Sequence, residues 1–195
     1  MDIASAYIES IKKQFWYYKT IAEKAIDQLE ESQLFSQLGN ENNSIAIIIN
    51  HLYGNMLLRW TDFLTTDGEK EWRNRDAEFE NPPTSKRELM LRWEAGWACL
   101  FNALEEITPD NLTTIIYIRN EGHTVTEAIN RQLAHYPYHI GQIVFAAKQL
   151  KNAEWESLSI PKNKSAEYNT EKFAAEKQQR NFIDEALNKL RKRGV

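Results

Sequence analysis

The sequence predicts an all-α protein, a four-helix bundle with a short β-hairpin before its fourth helix and an additional C-terminal helix. Four long segments repeat apolar residues at intervals of three and four, the period of a helix with one buried face. Two of these segments open with a capping box, which marks a helix start. The chain has 195 residues and is 42% hydrophobic, which is enough for one substantial core. We therefore expect a single domain over residues 1–195, with its core in residues 1–150 and an extension in residues 151–195.

The first two predicted helices span residues 3–31 and residues 43–65. The first carries an apolar stripe, and charged residues fill its opposite face. The second begins near Asn43 or Ser44, either of which is a good N-cap, and its first half is apolar nearly all round. That pattern predicts a central, buried helix. The polar residues 67–83, which end in two prolines, indicate a connecting loop.

The third and fourth predicted helices span residues 85–107 and residues 124–150. In each, a serine or threonine is followed three residues later by a glutamate, which is the capping-box pattern. Between these helices, the β-branched and aromatic residues of segment 112–122 favour a short hairpin.

The segment after residue 150 predicts the additional C-terminal helix. Residues 155–161 are expected to be extended, because a proline ends them. Asn169 or Thr170 would then cap a helix that reaches Arg193. We expect this helix to pack on the bundle or on a partner chain.

The composition excludes several function classes. The net charge of -4 is spread in mixed-sign runs, without the clustered basic face that neutralises phosphates, so we expect no nucleic-acid partner. No stretch approaches the roughly 18 to 20 uninterrupted apolar residues of a membrane span, and the first residues lack the layout of a signal peptide. The single cysteine, Cys99, fits a reducing compartment. The sequence therefore predicts a cytoplasmic protein with no membrane partner.

Three of the four histidines lie on two predicted core helices. His135 and His139 are four residues apart on the fourth helix, so their side chains project from the same face. His51 lies in the apolar half of the second helix, where its ring should be buried. A buried imidazole needs partners at its polar nitrogens, and one shared metal ion would satisfy all three rings. Hydrogen bonds among the histidines in a polar pocket are the simpler alternative.

Three neutral nitrogen ligands without a fourth protein ligand would leave an open position, as in catalytic zinc sites. Imidazole also suits nickel, iron and copper, so the residues alone leave the metal open. We expect a divalent ion, with zinc or nickel ahead of iron. Pro137, between His135 and His139, removes a helical hydrogen bond and predicts a kink. That kink either splays the two histidines apart or frees backbone groups that shape a cavity.

Three polar residues near the histidines are candidates for binding a small-molecule substrate. Arg131 lies one turn before His135 and offers a rigid, forked donor to an anion, although a surface salt bridge explains it about as well. Gln142 shares the histidine face of the fourth helix. It could instead close the site as a further ligand, as could His123 or Glu121. Asn55 lies one turn after His51.

The pattern resembles the DinB/YfiT-like superfamily, and in particular a bacterial branch of unknown function within it. The resemblance covers most of the chain and rests on Asn50-His51-Leu52 and on residues 59–70, 123–143 and 155–161. It implies a four-helix bundle in which three histidines bind a divalent metal, one on the second helix and two on the fourth, and it also implies a homodimer. The corresponding positions in this sequence are His51, His135 and His139.

Relatives of this fold include transferases and isomerases that use low-molecular-weight thiols, whose thiolate the metal is thought to activate. The resemblance therefore implies a metal-dependent enzyme that activates a thiol or water for attack on a small electrophile, with thiol transfer ahead of hydrolysis. A shared fold does not settle function. The alternative is a non-catalytic, stress-linked binding or interaction protein whose metal is structural or vestigial.

Overall fold

A computed structural model describes residues 2–192 of the chain, which are mostly helical with one two-stranded hairpin. The elements, in chain order, are α1 (Ile3–Ile26), α2 (Glu31–Leu34), α3 (Ile45–Trp60), α4 (Arg75–Glu80), α5 (Lys86–Glu105), β1 (Ile115–Ile118), β2 (Glu121–Thr124), α6 (Val125–Lys151), α7 (Ser165–Ala174) and α8 (Phe182–Lys192). Short 3-10 turns cover Pro109–Asn111 and Asn152–Glu154. Within residues 2–192, no helix combines the length and apolar character that crossing a membrane requires.

Helix α3 is the centre of the packing. It contacts α4, α5 and α6, while α1 packs against α6 on one side and α8 on another. Of the 16 residues of α3, 13 are buried, so the prediction of a central, buried helix is confirmed. The four long helices contribute to one hydrophobic core. Its largest fully buried side chains include Trp93, Trp97, Tyr136 and Phe15.

The predicted starts of α3, α5 and α6 are confirmed, because each is set by a local hydrogen bond. The Ser44 hydroxyl accepts from the backbone N–H of Ile47 and so caps α3. Ser85 caps α5 in the same way. Thr124 and Glu127 form the complete, reciprocal capping box at the start of α6.

Two predicted helix ends extend too far. Helix α1 ends at Ile26, and a separate capping box formed by Glu30 and Gln33 starts the short α2. Helix α3 ends at Trp60, because the next residue, Thr61, has an extended backbone with a ψ of 119°, and Asp62 then adopts a left-handed one with a φ of 49°. Phe63 is buried in the core from the turn that follows, so the apolar periodicity continues past the true end of the helix.

The prediction of a loop over residues 67–83 is wrong in part, since this segment contains α4. The Asn74 side chain accepts from the backbone N–H of Ala77 and caps α4. Asp76 and Glu78 lie in its first turn, where acidic side chains meet the positive end of the helix dipole. The polar composition of this segment therefore predicts a loop where a helix of six residues forms.

The predicted hairpin is confirmed. Strands β1 and β2 pair antiparallel, and their two-residue turn, Arg119 and Asn120, has φ values of 57° and 61°. The Asp67 carboxylate accepts from both backbone N–H groups of this turn, at 2.8 Å each. Asp67 thereby joins the hairpin to the chain that leaves α3.

The C-terminal extension holds two helices rather than the single predicted one. Helix α7 starts at Ser165, before the expected caps Asn169 and Thr170. The side chain of Asn181 accepts from the backbone N–H of Ile183 at 2.9 Å, which separates α8 from α7. The predicted end at Arg193 lies outside the described residues. Helix α8 packs against α1.

Candidate metal centre

Three histidine side chains meet between α3 and α6. His51, His135 and His139 each offer a nitrogen atom, and these atoms lie within 4.8 Å of one another. The His51 ring centroid lies 5.5 Å from that of His135 and 4.9 Å from that of His139. His51 is 5% exposed, whereas the two rings on α6 are half-buried. The structure thus brings together the three histidines that the sequence singles out.

Each of the three rings has its own oxygen acceptor at Nδ1. The contacts are His51 Nδ1 to Glu78 Oε2 at 2.9 Å, His135 Nδ1 to Gln132 Oε1 at 3.3 Å, and His139 Nδ1 to Gln142 Oε1 at 2.9 Å. An acceptor at Nδ1 fixes the proton on that nitrogen and leaves the lone pair on Nε2. Outer acceptors of this kind orient metal-binding histidines in proteins.

With the proton on Nδ1, the Nε2 atoms of the histidine rings carry no hydrogen. Nε2 of His135 and Nε2 of His139 lie 3.0 Å apart. Because both rings donate through Nδ1, two lone pairs face each other across this distance, and they repel. A cation that accepts both lone pairs removes the repulsion. Three imidazoles are a donor set that zinc, nickel, iron and copper all accept, so these residues fit a divalent ion.

Glu78 is the best anchored of the outer acceptors. Arg73 donates to it through Nε at 2.8 Å and through Nη2 at 3.1 Å. The side chain of Asn50 donates to the backbone carbonyl of Glu78 at 2.8 Å. Burial opposes ionisation of the Glu78 carboxyl, but the hydrogen bonds from His51 and Arg73 outweigh it and hold its pKa below the ordinary value. Glu78 is therefore a carboxylate that holds the His51 ring.

Gly54, one turn after His51 on α3, makes room for this carboxylate. A Cβ atom at position 54 would lie 2.7 Å from Cδ of Glu78 and would overlap its Oε1. The absence of a Cβ atom at Gly54 thus leaves room for the carboxylate, and no unusual backbone conformation is involved.

Burial keeps the two half-buried imidazoles neutral. It lowers the pKa of His135 to about 3, with help from the charges of His139 and His51. Burial likewise lowers the pKa of His139, although the hydrogen bond to Gln142 opposes the shift. Neutral imidazole is the form that binds metal ions, so both rings are ready for coordination at neutral pH.

We expect the metal-free protein to lose unfolding free energy as the pH falls from about 6.5 to about 3. In that window His135 is protonated in the unfolded chain and neutral in the folded one, so the unfolded state binds more protons and acid favours it. Urea unfolding in the presence of a chelator, repeated across this range, measures the slope. A His135→Gln variant should have a shallower slope, and an unchanged slope would contradict the assignment.

The three predicted substrate residues have different surroundings. Arg131 is exposed at the edge of the centre. Gln142 accepts a hydrogen bond from His139, and the buried Asn55 accepts one from the hydroxyl of Tyr136 at 3.2 Å. A substrate role for these residues stays a prediction. Helix α6 is continuous from Val125 to Lys151, through Pro137.

The sequence interpretation misses Glu78, Arg73 and Gln132 as parts of the centre. Gln132 lies three residues before His135, a helical spacing that could have marked it as a partner of that ring. No comparable spacing links Glu78 to His51, because the two are 27 residues apart on different helices. The N-cap at Asn74 is the signal that could have placed Glu78 on a helix.

Comparison with known proteins gives one match. A family model described as a protein of unknown function (DUF1572) matches residues 2–164. The matched range includes all three histidines and ends just before α7. No curated protein and no solved structure matches the chain.

Proposed function

This chain belongs to the DUF1572 family of proteins of unknown function, and from its site we propose that it is a metal-dependent enzyme of the DinB-like, four-helix-bundle type. His51, His135 and His139 would hold a divalent ion, with zinc or nickel ahead of iron. The proposed reaction is attack by a low-molecular-weight thiol, or by water, on a small electrophile. We favour thiol transfer over hydrolysis, because the relatives that the sequence resembles use thiols.

The observation that carries this proposal is the set of Nε2 lone pairs. Each Nδ1 faces a side-chain oxygen that can only accept a hydrogen bond, and the Nε2 atoms of His135 and His139, whose lone pairs this leaves free, lie 3.0 Å apart. Such an arrangement is unfavourable without a cation and favourable with one. The three rings bring no carboxylate or thiolate ligand, so a fourth position would be available to a substrate.

A bound divalent ion would lower the pKa of a thiol or water and make a nucleophile available at neutral pH. The residues of the chain orient and support this chemistry. Glu78, held by Arg73, fixes the His51 ring, while Gln132 and Gln142 fix the other two. In thiol transfer, the thiol proton passes to solvent and sulfur forms a bond to the electrophilic carbon. The leaving group departs with the electron pair of the bond that breaks.

Replacing His51, His135 or His139 by alanine, one at a time, is expected to remove stoichiometric metal from the purified protein. Each ring supplies one of three ligands, and losing one leaves too few to hold the ion tightly. Elemental analysis of the three variants measures the loss. His123→Ala is the matched control, because His123 lies on β2 outside the cluster and should leave the metal content unchanged. Unchanged metal in His51→Ala would show that the cross-helix site is wrong.

The second candidate function is a non-catalytic binding protein with a structural or vestigial metal. Two cavities flank the centre, and their walls include the outer residues Gln142 and Glu78 while none of the three histidines lines them. That arrangement favours a site with restricted access. Consumption of 1-chloro-2,4-dinitrobenzene, in which a C–S bond forms and chloride leaves, separates the candidates. Thiol-dependent turnover that a chelator abolishes supports the enzyme, and turnover insensitive to chelation contradicts it.

Three further parts of the proposal rest on the sequence. The chain forms a single domain, its resemblance to DinB-like proteins supports a homodimer, and its single cysteine supports a cytoplasmic location.

A further inference from the structure

Four arginines lie around the histidine centre and the turn of the hairpin. We name Arg59, Arg73, Arg119 and Arg131 the arginine cluster. Arg59 is at its middle: burial lowers the pKa of its guanidinium, Glu69 opposes the shift, and the charges of the other three arginines add to it. Arg131 lies four residues before His135 on α6, and Arg73 donates to the Glu78 carboxylate that holds His51, so the cluster adjoins the candidate ligands.

The nearby carboxylates compensate this cluster only in part. Three arginines share the Glu69 carboxylate. Its oxygens lie 2.9 Å from Nε of Arg119, 3.8 Å from Nη1 of Arg73 and 3.9 Å from Nη1 of Arg59. Glu78 already accepts hydrogen bonds from His51 and Arg73. The third carboxylate, Asp67, accepts backbone N–H groups of the hairpin turn and of Glu69.

The charge of Arg59 is therefore buried without a full set of partners. The residue is 8% exposed. Its Nη1 donates to the backbone carbonyl of Gly68, while its Nε is buried and finds no hydrogen-bond partner among the described residues. A buried, incompletely paired cation is costly, and an anion placed beside it lowers that cost.

Arg131 offers the accessible donor of the cluster. It lies one turn before His135 on the same face of α6, its side chain is exposed, and within residues 2–192 it makes no hydrogen bond or ion pair. Its planar fork can donate two parallel hydrogen bonds to a carboxylate. Arg131 and His135 are four residues apart, which is about 6 Å along the helix axis.

We propose that the arginine cluster binds a carboxylate group of the substrate or co-substrate whose reacting atom lies at the histidine centre. The inference rests on the proposed function and adds the substrate class to it. Among the described residues, Arg131 has no carboxylate partner, and the buried Nε of Arg59 has no hydrogen-bond partner. A carboxylate carries a single negative charge and two oxygens in one plane, which match the charge and the planar fork of the unpaired Arg131.

The test compares two thiols of nearly equal size, 3-mercaptopropionate and 3-mercapto-1-propanol, in calorimetric titrations of the zinc-loaded protein. We expect the carboxylate to bind about tenfold more tightly, because it gains charge-assisted hydrogen bonds from Arg131. Arg131→Gln should abolish this preference and leave the affinity for 3-mercapto-1-propanol unchanged. Arg131→Lys keeps the charge but loses the fork, and it should retain part of the preference. Arg87→Gln, an exposed arginine on α5, is the control and should behave like the native protein.

Zinc analysis of the same samples separates the possible failures. A native protein that holds no zinc contradicts the proposed function. A zinc-loaded protein that binds both thiols equally, binds neither, or keeps its preference in Arg131→Gln overturns the carboxylate inference while the metal site stands.

Discussion

A Glu78→Ala variant is expected to lose about 3 to 5 kcal/mol of unfolding free energy and to bind metal about 10- to 100-fold more weakly. The stability loss arises because the Arg73 side chain, which is only 4% exposed, keeps its charge but loses the carboxylate that pairs with it. The affinity loss arises because His51 loses the acceptor that fixes its ring and its tautomer. Urea unfolding of the metal-free protein and competition with a coloured chelator measure the two effects separately.

Two further variants sharpen this test. Glu78→Gln keeps the shape and an oxygen acceptor for His51 but removes the charge, so it should lose stability while retaining more metal affinity than Glu78→Ala. Glu80→Ala changes an exposed glutamate on the same short helix and should alter the unfolding free energy by less than about 0.5 kcal/mol. If Glu78→Ala were as stable as Glu80→Ala, the ion pair with Arg73 would have no structural importance.

A Gly54→Ala variant is expected to lose about 1 to 3 kcal/mol of unfolding free energy and part of its metal affinity. The added Cβ would overlap the carboxylate of Glu78. That side chain is flexible in principle, but here it is buried and held by His51 and Arg73, so it cannot move aside without breaking those hydrogen bonds. The same unfolding and competition measurements apply.

Gly141→Ala is the matched control for this substitution. Gly141 is also a helical glycine, and a Cβ there would meet no atom within 4 Å. Alanine should therefore stabilise α6 by about 0.5 to 1 kcal/mol, through its better helix propensity. Equal effects of the two substitutions would mean that the space beside Glu78 is larger than the structure indicates.

The elements that the sequence predicts correctly are those specified by neighbouring residues. Ser44, Ser85 and Thr124 mark helix starts, because an N-cap is a hydrogen bond between residues two or three apart. Helix ends depend more on tertiary packing. Phe63 is buried from a turn, and its apolar character extends the predicted second helix past the residue where the backbone turns away.

The same distinction between local sequence and tertiary packing applies to the residues of the candidate site. Two rings four residues apart on one helix are predictable from spacing, and His51 is a candidate because it lies in the apolar half of the second predicted helix. Glu78 is not predictable in this way, because its contact with His51 depends on how α4 folds against α3. Arg73 reaches the site through the same tertiary contact. The polar composition of residues 67–83 indicates a loop, yet this segment supplies the main support of the His51 ring.

The burial of α3 ties the centre to the stability of the whole molecule. A helix with 13 of its 16 residues buried cannot detach alone, since every neighbour would lose contacts with it. His51 belongs to that helix, so any ion that binds the folded chain and not the unfolded one raises the global unfolding free energy by mass action. If the proposed ion binds, a cell starved of it would hold more unfolded chains open to proteases, and the abundance of the protein would fall with the supply of the ion.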